Sequence, residues 1–246
     1  MEAVAVPVVV VGVPARDEEA LLGASVRAVL AAADAAATRQ GSDPVVIVVI
    51  ACDTCTDATV DIASRIAADD PRVRVLEGAW CSAGGSRGAA IAHGLALVGE
   101  QTPLENVWVA TTDADTVVRV DWLHQQVGHW SLGDHAVAGI VELLDDTVGD
   151  DRVAAAFRAN YALGADAHRH VHGANLGVRA DAYVSVGGFP AIPLAEDHAL
   201  WRALTAGGYR CTSSVALRVA TSSRAHGRAR GGFADTLAQQ VSAEAL

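Results

Sequence analysis

Val107 to Thr116 reads VWVATTDADT, and the fold turns on what that stretch is. The apolar run Val107 to Ala110 predicts a buried strand that ends at Thr111, Thr112 and then Asp113-Ala114-Asp115. In open α/β sheets, ligands bind in the crevice beyond the carboxyl ends of the strands. Two carboxylates one residue apart at such an end can both turn toward a hard divalent cation. A cation held there can carry the diphosphate of a nucleotide. An ordinary solvated loop also contains Asp-x-Asp, so the rest of the chain has to decide.

Upstream, Pro7 to Pro14 is almost all Val, as expected for a parallel strand covered on both faces. Ala15-Arg16-Asp17-Glu18-Glu19 follows, then a helix with Leu22, Val26, Val29 and Ala33 at helical spacing, ended by Gly41. Val45 to Ala51 predicts a second buried strand, and Asp53 to Asp57 leads into a helix with Val60, Ala63 and Ile66-Ala67 on one face. Val73 to Leu76 is a short third strand. Cys81 to Gly88 is a glycine-rich loop opening a helix that turns Ile91, Leu95 and Val98 inward. Such a loop either lets backbone approach a phosphate or ribose, or simply makes a tight turn. Strands alternating with helices in this way predict a doubly wound α/β half-domain. The dinucleotide fingerprint is missing, since Gly12-Val-Pro-Ala-Arg16 does not fit GxGxxG, and a P-loop is excluded because the chain has no Lys.

Downstream the pattern is less regular. Trp122 to Trp130 and Arg152 to Gly164 predict helices, and Ala136 to Leu143 a strand. His168, His170 and His172 lie at period two, on one face of an extended segment; they can bind metal, but exposed edge-strand histidines are the expectation. Gly173 to Gly177 precedes a short helix and then Gly187-Gly188-Phe189-Pro190. Glu196-Asp197 opens a helix carrying Leu200, Trp201 and Leu204, where acids can serve simply as partners of the helix dipole. From His198 to Ala234 there is no acid but six Arg, Arg224 and Arg228 among them. A cationic, glycine-containing Ser222 to Gly232 is either a lid over a diphosphate or a surface loop. No repeat or linker divides the 246 residues, which predicts one domain.

A formal net charge of −11 argues against nucleic acid and anionic membrane as general partners. The longest apolar runs are too short to span a bilayer. Met1-Glu2 opens no basic, cleavable leader, so a soluble, cytoplasmic protein is expected. Cys52 and Cys55 have CxxC spacing, but no second pair accompanies them and ordinary thiols are expected.

In this order the motifs resemble the family 2 glycosyltransferases, inverting enzymes of the GT-A fold that use nucleotide-sugar donors. The likeness runs from about Val8 to Tyr209 through Val13-Pro-Ala-Arg-Asp-Glu-Glu19, Asp53-x-Cys-Thr-Asp-x-Thr59, Arg87-Gly-Ala-Ala90, Asp113-Ala-Asp115, Gly173-Ala-Asn-Leu-Gly-Val-Arg179, Gly187-Gly-Phe189 and Glu196-Asp197. The resemblance implies a mostly parallel sheet with helices on both faces. It also implies a nucleotide-sugar half (1–116), an acceptor half (117–232) and a tail (233–246). Pro14, Ala15, Arg16 and Glu18 would line the base and ribose pocket, and Asp53 would accept the ring N–H of uracil. Arg87 and Ala114 would contact the donor, and Arg224 and Arg228 its phosphates. Asp115, supported by Asp113 and with His226 as a further candidate, would hold Mn2+ or Mg2+. Asp197 would be the general base, with Glu196 orienting it. Ala92 stands where many members have Asn, and Asp17 replaces the usual Asn. The QxxRW motif of processive synthases is absent, which implies transfer of one sugar to an acceptor hydroxyl the sequence does not name. The alternatives are a sugar nucleotidyltransferase, or a nucleotide-sugar-binding protein without transfer activity.

Overall fold

In the Val-rich strand β1 (Val8–Ala15), successive side chains feed two different cores. Val9, Val11 and Val13 pack with α1 (Leu22–Ala37), α2 (Thr59–Asp69) and α4 (Trp122–Ser131), whereas Val10 packs with Ile91 of α3 (Ala83–Val98) on the opposite face. That is the period-two alternation of a strand covered on both sides. The sequence VWVAT of β4 (Val107–Thr111) divides in the same way, with Trp108 and Ala110 on one face and Val107 and Val109 on the other. Each fully buried Val among them contributes about 1.5–3 kcal/mol relative to exposure. The computed structural model describes residues 7–37, 44–144 and 168–222. The helix expected over 152–164, the segment from 223 with Arg224, His226 and Arg228, and the tail lie outside the described residues.

The remaining strands are β2 (Val46–Asp53), β3 (Val73–Gly78), β5 (Thr116–Val118), β6 (Ala136–Leu143), β7 (Leu176–Arg179) and β8 (Cys211–Thr221). They form one eight-stranded sheet in the order β3-β2-β1-β4-β7-β6-β8-β5. The first four strands are mutually parallel. β7 enters antiparallel between β4 and β6, β8 runs parallel to β6, and β5 closes the edge antiparallel to β8. The architecture is the expected α/β one, a mostly parallel sheet between helical layers, with antiparallel pairing confined to the second half. α5 (Ala180–Ser185) and α6 (Glu196–Ala206) lie on the α3 face, where Ala180, Ala182, Leu200 and Leu204 complete the second core. Among the described residues no helix is long and apolar enough to cross a membrane.

One buried amide ties the second half together from inside. Asn175 takes the indole N–H of Trp122 on its Oδ1 at 2.9 Å, and its Nδ2 donates to the carbonyls of Ile140 and Leu217 at 2.9 Å each. The pairing of β6 with β8 slips between Gly139 and Ile140, and Asn175 satisfies carbonyls there.

Two expectations need correction. Gly84 and Gly85 are not in a phosphate-approaching loop: α3 starts at Ala83, Ser82 caps it by accepting the Gly85 N–H at 3.1 Å, and both glycines belong to its first turn. Nor are the histidines exposed on an edge. His168 is buried, with Nε2 donating to the Ala138 carbonyl at 3.1 Å and Nδ1 accepting the His170 N–H at 3.1 Å. The His168, His170 and His172 rings stack at centroid distances of 5.9 and 6.0 Å.

Candidate active site

The carboxyl ends of β1, β2 and β4 are neighbours in the sheet, so their exit loops share one edge. At the β1 exit Ala15 and Glu18 are buried, Pro14 is half-buried and Arg16 is exposed. The β1 and β2 exits hold each other. Asp17 accepts from the Thr56 N–H at 2.7 Å, Asp57 from the Glu19 N–H at 3.1 Å, and Glu19 from the Ala58 N–H at 3.0 Å. The Thr59 hydroxyl accepts the Glu18 N–H at 2.7 Å. These bonds keep Asp17 and Asp57 below the usual carboxylate range: the Thr56 N–H does so at Asp17, while at Asp57 burial opposes and the Thr59 hydroxyl and N–H prevail. Asp53 is buried at the end of β2, where Oδ1 accepts the N–H groups of Trp80 at 2.9 Å and Cys81 at 3.1 Å. The neighbouring thiols are free, and burial, reinforced by Cys55, pushes Cys52 up to about 12, far from a reactive thiolate.

Asp113-Ala114-Asp115 occupies the tight connection from β4 to β5. The Thr116 N–H returns to the Asp113 carbonyl at 3.1 Å, and the Ser25 hydroxyl of α1 donates to that same carbonyl at 3.0 Å. Ala114 is buried in the core between the two half-buried acids, so it anchors the turn while Asp113 and Asp115 face outward. Asp115 is held from the far side of the sheet: its carbonyl accepts the Ser222 N–H at 3.1 Å and its Oδ1 the Thr221 hydroxyl at 3.3 Å. Two oxygen-donor side chains at a partly open turn suit a Mg2+- or Mn2+-type ion, which takes one or two carboxylates and fills its other positions with water and phosphate oxygens. Among the described residues no group of three or more His, Cys, Asp or Glu is arranged as a complete metal cage.

The acceptor-side acids stand at the start of α6. Gly84 lets that helix approach α3, because a Cβ there would lie 2.4 Å from the Pro190 carbonyl and 2.8 Å from the Glu196 Cβ. Glu196 is buried and ion-paired to Arg87 Nη1, while Arg87 Nη2 reaches Asp113 Oδ1 at 2.6 Å. Arg87, expected against the donor, is instead enclosed, only 3% exposed and with its guanidinium carbon 5.3 Å from the Phe189 ring centroid. Burial alone would lower its pKa, but the Asp113, Glu196 and Asp197 carboxylates hold it above its ordinary value. Asp197 is half-buried, with Oδ2 accepting the Gly173 N–H at 2.9 Å and Oδ1 the His198 N–H at 2.7 Å. A carboxylate has about four lone-pair sites, so this orientation leaves acceptor capacity on both oxygens. His172 stays neutral: burial first, then His170, His198 and His168, lowers it to about 3.

Among the described non-glycine residues, positive φ occurs at Asp17, Thr54, Cys81 and Ala195, which follow β1, β2 and β3 and precede α6. Left-handed backbone at non-glycine residues costs energy and clusters at functional sites. These positions, the Asp17–Thr56 tie and the Thr221–Ser222 support of Asp115 carry no local sequence signal. The structure thus brings Asp53, Asp113, Asp115, Glu196 and Asp197 to one edge, with Arg87 enclosed against Asp113 and Glu196 and its charge close to Asp197.

Comparison with known proteins agrees with this geometry. Residues 10–183 match the model of glycosyl transferase family 2. No curated protein matches the chain. Among solved structures, Staphylococcus aureus TarS (residues 1–349) is similar with a TM-score of 0.61 at 14% identity, over 88% of this chain and 60% of TarS. The mannosyltransferase PcManGT from Pyrobaculum calidifontis, in complex with GDP-Man and Mn2+, gives 0.61 at 22% identity, over 97% of this chain and 64% of that one. GalNAc-T7 with UDP, GalNAc and Mn2+ gives 0.65 at 12% identity, over 89% of this chain and 44% of that one. The chain therefore spans less than two thirds of each of these relatives.

Proposed function

The chain belongs to glycosyl transferase family 2, and from that premise we propose that it moves a single sugar, with inversion, from a nucleotide diphosphate sugar to an acceptor hydroxyl. The observation carrying the proposal is the convergence at one sheet edge of an Asp-x-Asp turn and an oriented carboxylate on a separate helix, joined by the pairs of Arg87 with Asp113 and Glu196. The donor half offers Asp53 Oδ2, which accepts no hydrogen bond from the described residues, to a ring N–H of the base; UDP is the nucleotide this reading favours. Pro14, Ala15, Arg16 and Glu18 form the adjoining wall.

Asp115, with Asp113 beside it, would hold Mn2+ or Mg2+. When bound, such an ion neutralises charge developing on the departing diphosphate. Asp197 takes the proton of the acceptor hydroxyl as that oxygen attacks the anomeric carbon from the face opposite the diphosphate. The new C–O bond forms as the old one breaks, and its electron pair leaves with the nucleoside diphosphate. Because a carboxylate is a weak base for an alcohol, much of the rate has to come from positioning. Backbone donors to both Asp197 oxygens supply that positioning. Arg224 and Arg228 would contact the donor phosphates and His226 the metal, as the family resemblance implies.

The test is a panel of UDP- and GDP-sugars with and without Mn2+, followed by thermal shift and by slow donor hydrolysis. Metal-dependent stabilisation by one nucleotide, with hydrolysis of its sugar, is the expected result. If no nucleoside diphosphate stabilises the protein with metal present, the reading fails. If a donor binds but is never turned over, the protein is a binder.

A further inference from the structure

Arg87 is the one described side chain in direct ion-pair contact with both halves of the site: Nη2 with Asp113 of the Asp-x-Asp turn and Nη1 with Glu196, the neighbour of Asp197. Its surroundings are built for it. A Cβ at Gly173 would lie 2.6 Å from the guanidinium, so glycine there admits the charged group, and the same Gly173 uses its N–H to hold Asp197. Phe189 covers the guanidinium carbon at 5.3 Å from its ring centroid. Nε is buried without a partner among the described residues, so the group accepts an unsatisfied donor to keep its two ion pairs. A cation this enclosed cannot serve as a mobile donor contact.

We infer that Arg87 is a positioning residue that fixes the Asp113 carboxylate relative to the helix carrying Asp197, so that the cation site and the base are set as one unit. The inference rests on the transferase reading and adds to it a dependence of the metal site on a group that never touches the donor. Electrostatics and positioning predict opposite signs. A guanidinium beside Asp113 repels a divalent cation, so removing it would tighten Mn2+ binding if charge were its only influence. If orientation dominates, removing it weakens Mn2+ binding, as loss of outer-shell partners of metal ligands does by about 10- to 100-fold.

The experiment is calorimetric titration of UDP with Mn2+ into wild type, Arg87→Met and Arg87→Lys. Weaker Mn2+-dependent affinity in Arg87→Met by about 10- to 100-fold, partly recovered in Arg87→Lys, is the expected result. Because Arg87→Met alone strands buried Glu196, Arg87→Met/Glu196→Gln removes both charges together and carries the same expectation. Wild-type or tighter affinity in the folded variants overturns the inference and leaves the transferase reading standing. If UDP does not bind wild type, the same titrations are run with GDP, and absence of Mn2+-dependent binding of either overturns both.

Discussion

Most of the bonds tying the loops that leave β1 and β2 lie at the surface, with Glu18–Thr59 the buried exception, whereas the loops bearing Gly173, Phe189 and Glu196 are tied through the interior. On the donor side Asp17, Glu19 and Asp57 exchange hydrogen bonds with Thr56, Ala58 and Glu19 within two neighbouring loops, in contact with water. On the acceptor side Glu196 is held by Arg87, 109 residues away in sequence, and Trp122 by Asn175, 53 residues away, all in enclosed positions. Loss of a solvated tie is softened by water, while loss of a buried one strands its partner. The donor side can therefore yield locally, and the acceptor side is a cooperative unit. Four tests, using six substitutions at five positions, probe this contrast.

The largest effect falls on chemistry. Asp197→Asn keeps the Gly173 contact and the fold but removes the base, so transfer should drop by about 10²- to 10⁴-fold while donor affinity stays near wild type. Asp115→Asn should instead weaken metal-dependent donor binding. Steady-state rates with calorimetric donor titrations separate the two, and equal loss of donor binding in both would break the division of labour.

Next comes Asn175→Ala. It leaves the Trp122 indole N–H and the Ile140 and Leu217 carbonyls unpaired in the interior, at roughly 1–3 kcal/mol per stranded group. Urea unfolding should show a loss of about 3 kcal/mol or more. A loss under about 0.5 kcal/mol, typical of a surface change, would mean the acceptor half is not held from inside.

The unequal legibility of the two halves has the same origin. β1, β2 and β4 were readable because strands covered on both faces need near-continuous Val and Ala, and α1 and α3 because their apolar spacing repeats at 3.6 residues. β8, CTSSVALRVAT, shows no clean alternation, since its register slips by a bulge that Asn175 fills. β5 and β7 are only 3 and 4 residues long, too short for any period. The site acids were legible as residue types beside strand ends and at a helix start. What hid was their mutual distance: nothing local to Arg87 says that it lies against Glu196 and Asp113, or that Gly84 and Gly173 are glycines to make room.

Gly84→Ala is expected to come third. The added methyl would meet the Pro190 carbonyl and the Glu196 side chain, so α6 must move outward at about 1–3 kcal/mol. Because Asp197 rides on that helix, kcat should fall more than donor affinity. A variant that loses donor affinity first would show that the α3–α6 contact serves the nucleotide rather than the base.

The smallest effect belongs to the surface tie, and it carries a pH signature. The Thr56 N–H holds Asp17 below its ordinary value, so the ionised form is favoured in the folded state. Its contribution is thus complete above the unfolded carboxyl pKa, about 3.9, and is lost as pH falls through the lower folded value. Asp17→Asn keeps an acceptor for Thr56 and a residue tolerant of the left-handed φ of 52°. It should match wild type at neutral pH within about 0.5 kcal/mol and lose less stability on acidification. Asp17→Ala gives up both acceptor and tolerance, yet because water screens and replaces what is lost at this rim position, its neutral-pH cost should stay below about 1 kcal/mol. Thermal melts of the three proteins between about pH 3 and pH 7 measure it. If Asp17→Ala destabilises as much as Asn175→Ala, the donor-side loops are locked as deeply as the acceptor side, and the contrast between a yielding rim and a cooperative interior is gone.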